Sequence, residues 1–238
     1  MKIITWNIGL TKQWFRNLCM CLCSRKSKTC NIISEKIINE NADVIFFQEL
    51  YSDCFNIIKD LIGNQYKYCV YDNNIGLAIF SKTNIIFNFG RVFKRDFTSL
   101  LLETQNGLLT VYDELNKIYF INVHLSCGFC MENEFYKLKE TTDFIELHEK
   151  IKHPERNYRI IIAGDFNAKR NNNYNKICKI LNVKNNKANN FYSFDHICVK
   201  MNFDYIIYID KKERIELYCT CDEKCKNISD HLLIKTEI

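Results

Sequence analysis

"IIIAGDFNAKR" occupies residues 160–170. Four apolar residues, Ile160 to Ala163, run into Gly164, and then Asp165 and Asn167 flank Phe166. A short apolar run rich in β-branched residues reads as a buried strand. Asp and Asn at its end have a simple explanation, because both side chains favour turns. They also have a chemical one: a carboxylate and a carboxamide held at a rigid strand end form a place where something is bound.

Other runs end in the same way. "KIIT" (2–5) leads to Trp6 and Asn7, and "VIFFQEL" (44–50) contains Gln48 and Glu49. "IYFINVHL" (118–125) carries His124, and "SDHLLIKTEI" (229–238) opens with Asp230 and His231. "GLAIFSK" (76–82), "GLLTVY" (107–112) and "FDYIIYI" (203–209) complete the strand-like runs. Helical periodicity appears in 31–40 (Ile33, Ile37, Ile38), in 53–62 (Phe55, Ile58, Ile62) and in 133–151 (Phe135, Leu138, Ile145). Strands interleaved with helices give an α/β fold. The strands outnumber the helices and several follow one another directly, so mixed sheets are expected.

The totals suit one large domain over 1–238. Hydrophobic residues make up 47%, enough for a sizeable core. With one Pro and seven Gly there is no linker-like tract, and no internal repeat is visible. The net charge of +5 is compatible with an anionic substrate but does not require one. No signal peptide is recognisable at the first residues, and no apolar run reaches the ~20 residues that span a bilayer. Thirteen Cys without a secretory signal point to a reducing intracellular compartment.

Carboxylates from Glu49, Asp165 and Asp230, amides from Asn7 and Asn167, and imidazoles from His124 and His231 would repel or desolvate one another unless a cation or substrate compensated. Hard cations such as Mg²⁺ prefer oxygen ligands of this kind. Taken singly, Asn7 also reads as a turn residue, Glu49 as a solvated helix-start carboxylate, and His124 as a core or edge histidine.

The motifs "TWNI" (5–8), "FQEL" (47–50), "NVHL" (122–125), "AGDFNA" (163–168), "FDYI" (203–206) and "SDHLL" (229–233) together resemble the endonuclease/exonuclease/phosphatase superfamily, the DNase I-like Mg²⁺-dependent phosphoesterases. "GLAIFSK" and "ELYSD" look most like neutral sphingomyelinases. The resemblance implies a four-layer α/β/β/α sandwich of two mixed sheets. It also implies a divalent-metal-dependent phosphodiester hydrolase in which water attacks phosphorus in line. Mg²⁺, with Mn²⁺ as substitute, would be held by Glu49, Asn7 and Asp230. His231 would act as base, oriented by Asp204, with Asp195 in "SFDHI" (193–197) as the alternative. Asp165 and Asn167 would orient water and phosphate, and His124 would stabilise the transition state.

Three functions stay open: a phosphodiesterase acting on a phospholipid headgroup or small phosphodiester, a nuclease or DNA-end-processing phosphodiesterase, and a non-catalytic binding module. The Cys-rich basic segment at about 11–30, taken as a loop, allows three readings: an apolar packing face, a peripheral membrane contact through Trp14–Cys30, or a thiolate metal site. "YCTCDEKC" (218–225) could meet it, and Cys127 and Cys130 read as structural. A monomer is expected.

Overall fold

The computed structural model describes residues 1–9, 22–92, 106–126, 131–168, 173–185, 194–196, 199–201, 204–222, 229 and 231–238. In chain order these form β1 (Lys2–Asn7), α1 (Leu22–Glu40), β2 (Val44–Gln48), α2 (Ser52–Ile62), β3 (Tyr68–Asp72), β4 (Leu77–Ser81) and β5 (Ile86–Val92). β6 (Gly107–Asp113), β7 (Ile118–His124), α3 (Met131–Lys152), β8 (Arg159–Asp165) and α4 (Asn175–Leu181) follow. The last elements are β9 (Phe194–His196), β10 (Val199–Met201), β11 (Asp204–Ile209), β12 (Arg214–Glu216), β13 (Thr220–Asp222) and β14 (Leu233–Glu237).

Apolar runs such as Val44–Phe47 and Ile160–Ala163 have to be covered on both faces, and two stacked sheets with helices outside do this. One sheet has the order β13-β14-β1-β2-β4-β3, the other β12-β11-β8-β7-β6-β5, and β9 and β10 make a separate ribbon. Each large sheet holds one parallel pair at its centre, β1 with β2 and β7 with β8; its other pairings are antiparallel. The helices α1 and α3 make the crossovers between the parallel partners, as a parallel connection requires. The two sheets therefore share a central parallel pair with a helical crossover, while the strands beyond the pair are connected differently: β3 precedes the inner β4 in one, and β11 lies inside the later β12 in the other.

The layers follow from strand alternation. Ile4, Trp6, Ile45 and Phe47 pack outward against Cys30, Ile33 and Ile37 of α1 and Cys54, Ile58 and Ile62 of α2. Tyr119, Ile121, Ile160 and Ile162 pack outward against Phe135, Leu138 and Ile145 of α3 and Ile177 and Leu181 of α4. Ile3, Phe46, Ile79, Phe120, Ile161 and Ile206 fill the space between the sheets. This is the four-layer α/β/β/α sandwich of two mixed sheets. Phe46 and Phe120 meet edge-on across the gap at 5.8 Å, and truncating either ring costs about 3–5 kcal/mol.

The segment at about 11–30, expected to be a loop, is helical from Leu22 onward. No Gly or Pro interrupts it, and Cys30 continues the buried stripe of Ile33 and Ile37 at helical spacing, so packing extends the helix backwards. Residues 10–21, including Trp14, Cys19 and Cys21, lie outside the described residues, as do Cys127, Cys130 and Cys225 and the side chains of Cys23 and Cys221. Among the described residues, no helix is long and apolar enough to cross a membrane.

Candidate active site

The inner faces change character along the strands. Ile3, Thr5 and Asn7 follow one another on the inner face of β1, and Val44, Phe46 and Gln48 on β2. Ile118, Phe120, Asn122 and His124 do so on β7, and Ile161, Ala163 and Asp165 on β8. At one end of the sandwich the interior is therefore polar, and both parallel pairs point their C-terminal ends there. Antiparallel neighbours enter at the same end: β11 begins with Asp204, opposite Asp165, and His231 lies just before β14.

The opening stretch serves two purposes at once. Phe166 is buried in the outer core against Tyr174 and Tyr205, and the Tyr205 hydroxyl donates to the Ala168 carbonyl at 3.1 Å. This aromatic peg anchors the turn. The Asn167 N–H donates to Asp165 Oδ1 at 2.7 Å, so the turn is closed by the Asp itself. The Asn167 amide donates to the Leu125 carbonyl at 2.7 Å, tying the ends of β7 and β8 together. Gly164 has φ +144, and a Cβ there would lie 2.1 Å from the Val123 carbonyl oxygen, so only glycine lets β8 reach Asp165 beside β7. Asn167 and Glu49 adopt left-handed backbone, with φ of 48 and 55. For Glu49 that conformation is a local strain held by its surroundings: Leu50 N–H donates to Gly76 O at 2.9 Å and Ile8 N–H to Gln48 O at 3.2 Å.

The bonds within the site run between the sheets. The Asn7 amide nitrogen donates to Glu49 Oε1 at 3.0 Å in its own sheet and to Asp165 Oδ2 at 2.9 Å in the other. Asn7 Oδ1 accepts the Gly9 N–H at 3.0 Å. His231 Nδ1 lies 2.9 Å from Asp204 Oδ2, and His231 Nε2 lies 3.6 Å from Asp165 Oδ2. His124 Nε2 is 3.6 Å from Glu49 Oε1 and 3.9 Å from Asp165 Oδ2. Ser229 receives the His231 N–H at 3.0 Å and donates to the Asn7 carbonyl at 2.8 Å, which seats the histidine. Glu49, His124, Asp165, Asp204 and His231 are all buried.

Two carboxylates directly opposite on neighbouring strands repel each other, and His231 is placed between Asp204 and Asp165. Asp204 is the carboxylate that meets His231; the alternative, Asp195, lies in the separate β9–β10 ribbon with its backbone opposite Lys200, and its side chain lies outside the described residues. Asp230 lies outside the described residues. Candidate metal-ligand atoms of Asp165, Asp204 and His231 lie within 4.8 Å of one another. In that group His231 Nδ1 is taken by Asp204, so it is first a hydrogen-bonded His231–Asp204 pair, with Asp165 Oδ2 3.6 Å from the other ring nitrogen. The hard-oxygen set of Glu49 and Asp165, two carboxylates bridged by one amide and flanked by two imidazoles, fits a divalent cation better.

A family model described as the Endonuclease/Exonuclease/phosphatase family matches residues 4–231. The chain belongs to this family. Its members are phosphoesterases as a class, and the matched span encloses Asn7, Glu49, His124, Asp165, Asn167, Asp204 and His231 of the polar end described above. Solved structures share the fold of this family member. A mutant of beta toxin from Staphylococcus aureus with bound magnesium ions is 17% identical, with 98% of each chain covered and a TM-score of 0.66. Sphingomyelinase C from Streptomyces griseocarneus is 13% identical over 99% of this chain and 98% of its own, with a TM-score of 0.67. Truncated TDP2 from Caenorhabditis elegans is 15% identical over 98% and 95%, with a TM-score of 0.63. No curated protein matches the sequence significantly.

Sequence reasoning left Gln48 and Asn122 without a role. Both are fully buried amides one layer beneath the site. Their signal is positional: each stands on the inner face of its strand between an aromatic and the site.

Proposed function

We propose that this protein is a divalent-metal-dependent phosphodiesterase in which water attacks phosphorus in line. The observation that carries the reading is the His231–Asp204 pair at 2.9 Å, with the other ring nitrogen of the imidazole 3.6 Å from Asp165. Asp204 holds the tautomer and orientation that direct Nε2 toward Asp165. His231 takes the proton of the attacking water there. Asp165, fixed by Asn7 and by the Asn167 N–H, orients that water. His124, between Glu49 and Asp165, offers a positive edge to the charge that builds on the phosphoryl oxygens. Asn167 stands beside it as a phosphate contact. Mg²⁺ would be held by the Glu49 carboxylate with Asp165 beside it and Asp230 as a further expected ligand, and would supply charge neutralisation and polarise the phosphate; Asn7, expected from the sequence as a ligand, instead turns its amide nitrogen to both carboxylates and holds them in place.

The substrate class rests on chemistry alone: a phosphodiester, with a lipid headgroup favoured by the sphingomyelinase-like "GLAIFSK" and the Trp14–Cys30 segment. The test is a panel with Mg²⁺ or Mn²⁺: bis-p-nitrophenyl phosphate, sphingomyelin, phosphoinositides, abasic DNA, single-stranded DNA and tyrosyl-DNA ends. The expected result is hydrolysis that stops on EDTA, with sphingomyelin or a phosphoinositide turned over fastest. No hydrolysis of any member with either metal overturns the reading; preference for DNA ends moves it to the nucleases.

A further inference from the structure

Between the apolar middle of the sandwich and its polar end lies a layer of three buried side chains. Asn122 reaches across from β7 and donates to two backbone carbonyls of the opposite sheet, Phe47 O and Ala78 O, each at 2.9 Å. These two residues form the last rung of the β2–β4 ladder. With both donors on carbonyls, the orientation of the Asn122 amide is settled, and its oxygen must accept. It accepts from Gln48 Nε2 at 2.7 Å, and the same nitrogen donates to Thr5 Oγ1 at 3.1 Å. Thr5, Gln48 and Asn122 are each 0% exposed.

Three desolvated polar groups are a poor choice if filling space were their only task. Apolar side chains of the same shape would pack the gap without needing partners. Directly beneath, Phe46 and Phe120 do this work. The polar layer does something that rings cannot: it fixes strand ends by directional bonds. Gln48 immediately precedes Glu49, whose left-handed backbone persists only if its neighbours over-determine it. Asn122 stands two residues before His124 on the same face. The tie thus runs from the strand end carrying His124 to the strand end carrying Glu49.

We infer that Asn122, together with Gln48 and Thr5, is a positioning layer that sets the separation of Glu49 from His124 and Asp165, and so governs metal affinity and turnover. The inference rests on the functional reading above. Asn122 touches neither water nor substrate in this role.

The test compares the wild type with the near-isosteric double variant Gln48→Met/Asn122→Leu, and with Asn122→Asp, whose carboxylate cannot donate to the two carbonyls. Three measurements are made on each: Mn²⁺ binding by calorimetry, kcat and KM for bis-p-nitrophenyl phosphate, and thermal unfolding in EDTA. A displacement of reacting groups by about 1 Å costs roughly 100-fold in rate, so kcat is expected to fall between about 10- and 100-fold with KM little changed. Mn²⁺ affinity is expected to weaken by about tenfold, the low end of what losing the support of a ligand costs. The double variant should remain folded. Wild-type Mn²⁺ affinity and kcat in folded variants overturn the inference. Loss of fold in both variants also overturns it, since the layer would then be a folding determinant. A wild type that binds no Mn²⁺ sinks the functional reading instead, and the calorimetry separates the two failures.

Discussion

The two sheets are built alike around a central parallel pair and contribute different chemistry. In one, the parallel pair β1–β2 ends in Asn7 and Gln48–Glu49, with His231 at the entry to the antiparallel neighbour β14. In the other, the pair β7–β8 ends in His124 and Asp165, with Asp204 at the entry to β11. The contacts that matter join unlike halves: Asn7 to Asp165, His231 to Asp204, His124 to Glu49. Neither sheet holds a working set. The site comes into being only when the interior packs, so assembly of the core and assembly of the chemistry are one event.

The largest expected effect comes from cutting the pairs that cross. Glu49→Gln, on one sheet, and Asp165→Asn, on the other, should each lower kcat/KM for bis-p-nitrophenyl phosphate by about 10²–10⁴-fold. His231→Ala should do the same. Asp204→Asn combined with His231→Ala should lose little more than His231→Ala alone, because groups acting as a unit are not additive. Multiplicative losses in the double variant would break the claim that the pair works across the sheets.

Next in size are the glycines that shape each half. Gly164→Ala would force a Cβ to within 2.1 Å of the Val123 carbonyl, whereas Gly76→Ala, with φ +62, brings its Cβ to 3.3 Å from the Leu50 carbonyl. Urea unfolding should show a loss of more than about 3 kcal/mol for the first and about 1 kcal/mol for the second. Equal losses would mean that the two strand ends are held with the same tightness.

Glu49→Gly tests the strained backbone. It should abolish hydrolysis, yet raise stability by about 1 kcal/mol in EDTA, since glycine adopts the left-handed conformation freely and a buried charge is removed. A lower melting temperature in EDTA would show that Glu49 stabilises the fold.

The smallest effect lies at the opposite end of the first sheet. Glu40 closes α1; burial would raise its carboxyl, but hydrogen bonds from Lys2, Lys235 and Lys36 outweigh this and bring it down to about 2. A depressed carboxyl stabilises the fold above its unfolded pKa, and that contribution is lost as pH falls from about 4.5 to about 2. Glu40→Gln should therefore lower the melting temperature at pH 7 and have no such effect at pH 2. In the other sheet the comparable carboxylate, Glu149 near the end of α3, takes its hydrogen bond from the Tyr119 hydroxyl at 2.7 Å.

The central strands were legible because each is an apolar run that must be buried on both sides, and their polar ends stood out against that background. β3 and β5 escaped notice: they are edge strands, half exposed, and "YCVYD" and "IFNFGRV" mix polar residues into no clear alternation. The early turns of α1 carry Arg25, Lys26 and Lys28 with Cys and Ser, a composition without periodicity, so no helical pattern shows before Cys30. α4 has seven residues, too few for a helical pattern to show. Within the site, Asp204 was separable from Asp195 by the strand that follows it. Gln48 and Asn122 are inconspicuous inside "FQEL" and "NVHL", because an amide beside a glutamate, or two places from a histidine, says nothing until both sheets are seen together.

The groups assigned to the chemistry sit on, or directly beside, strands at the middle of each sheet, and under the proposed function the connections that leave those strand ends are left to select the substrate. Such an arrangement is modular in an evolutionary sense. A lineage can exchange one connection for another, and with it one phosphodiester for the next, while the reacting groups stay in register. Inherited diversity in this fold is therefore cheap at the rim and costly at the centre.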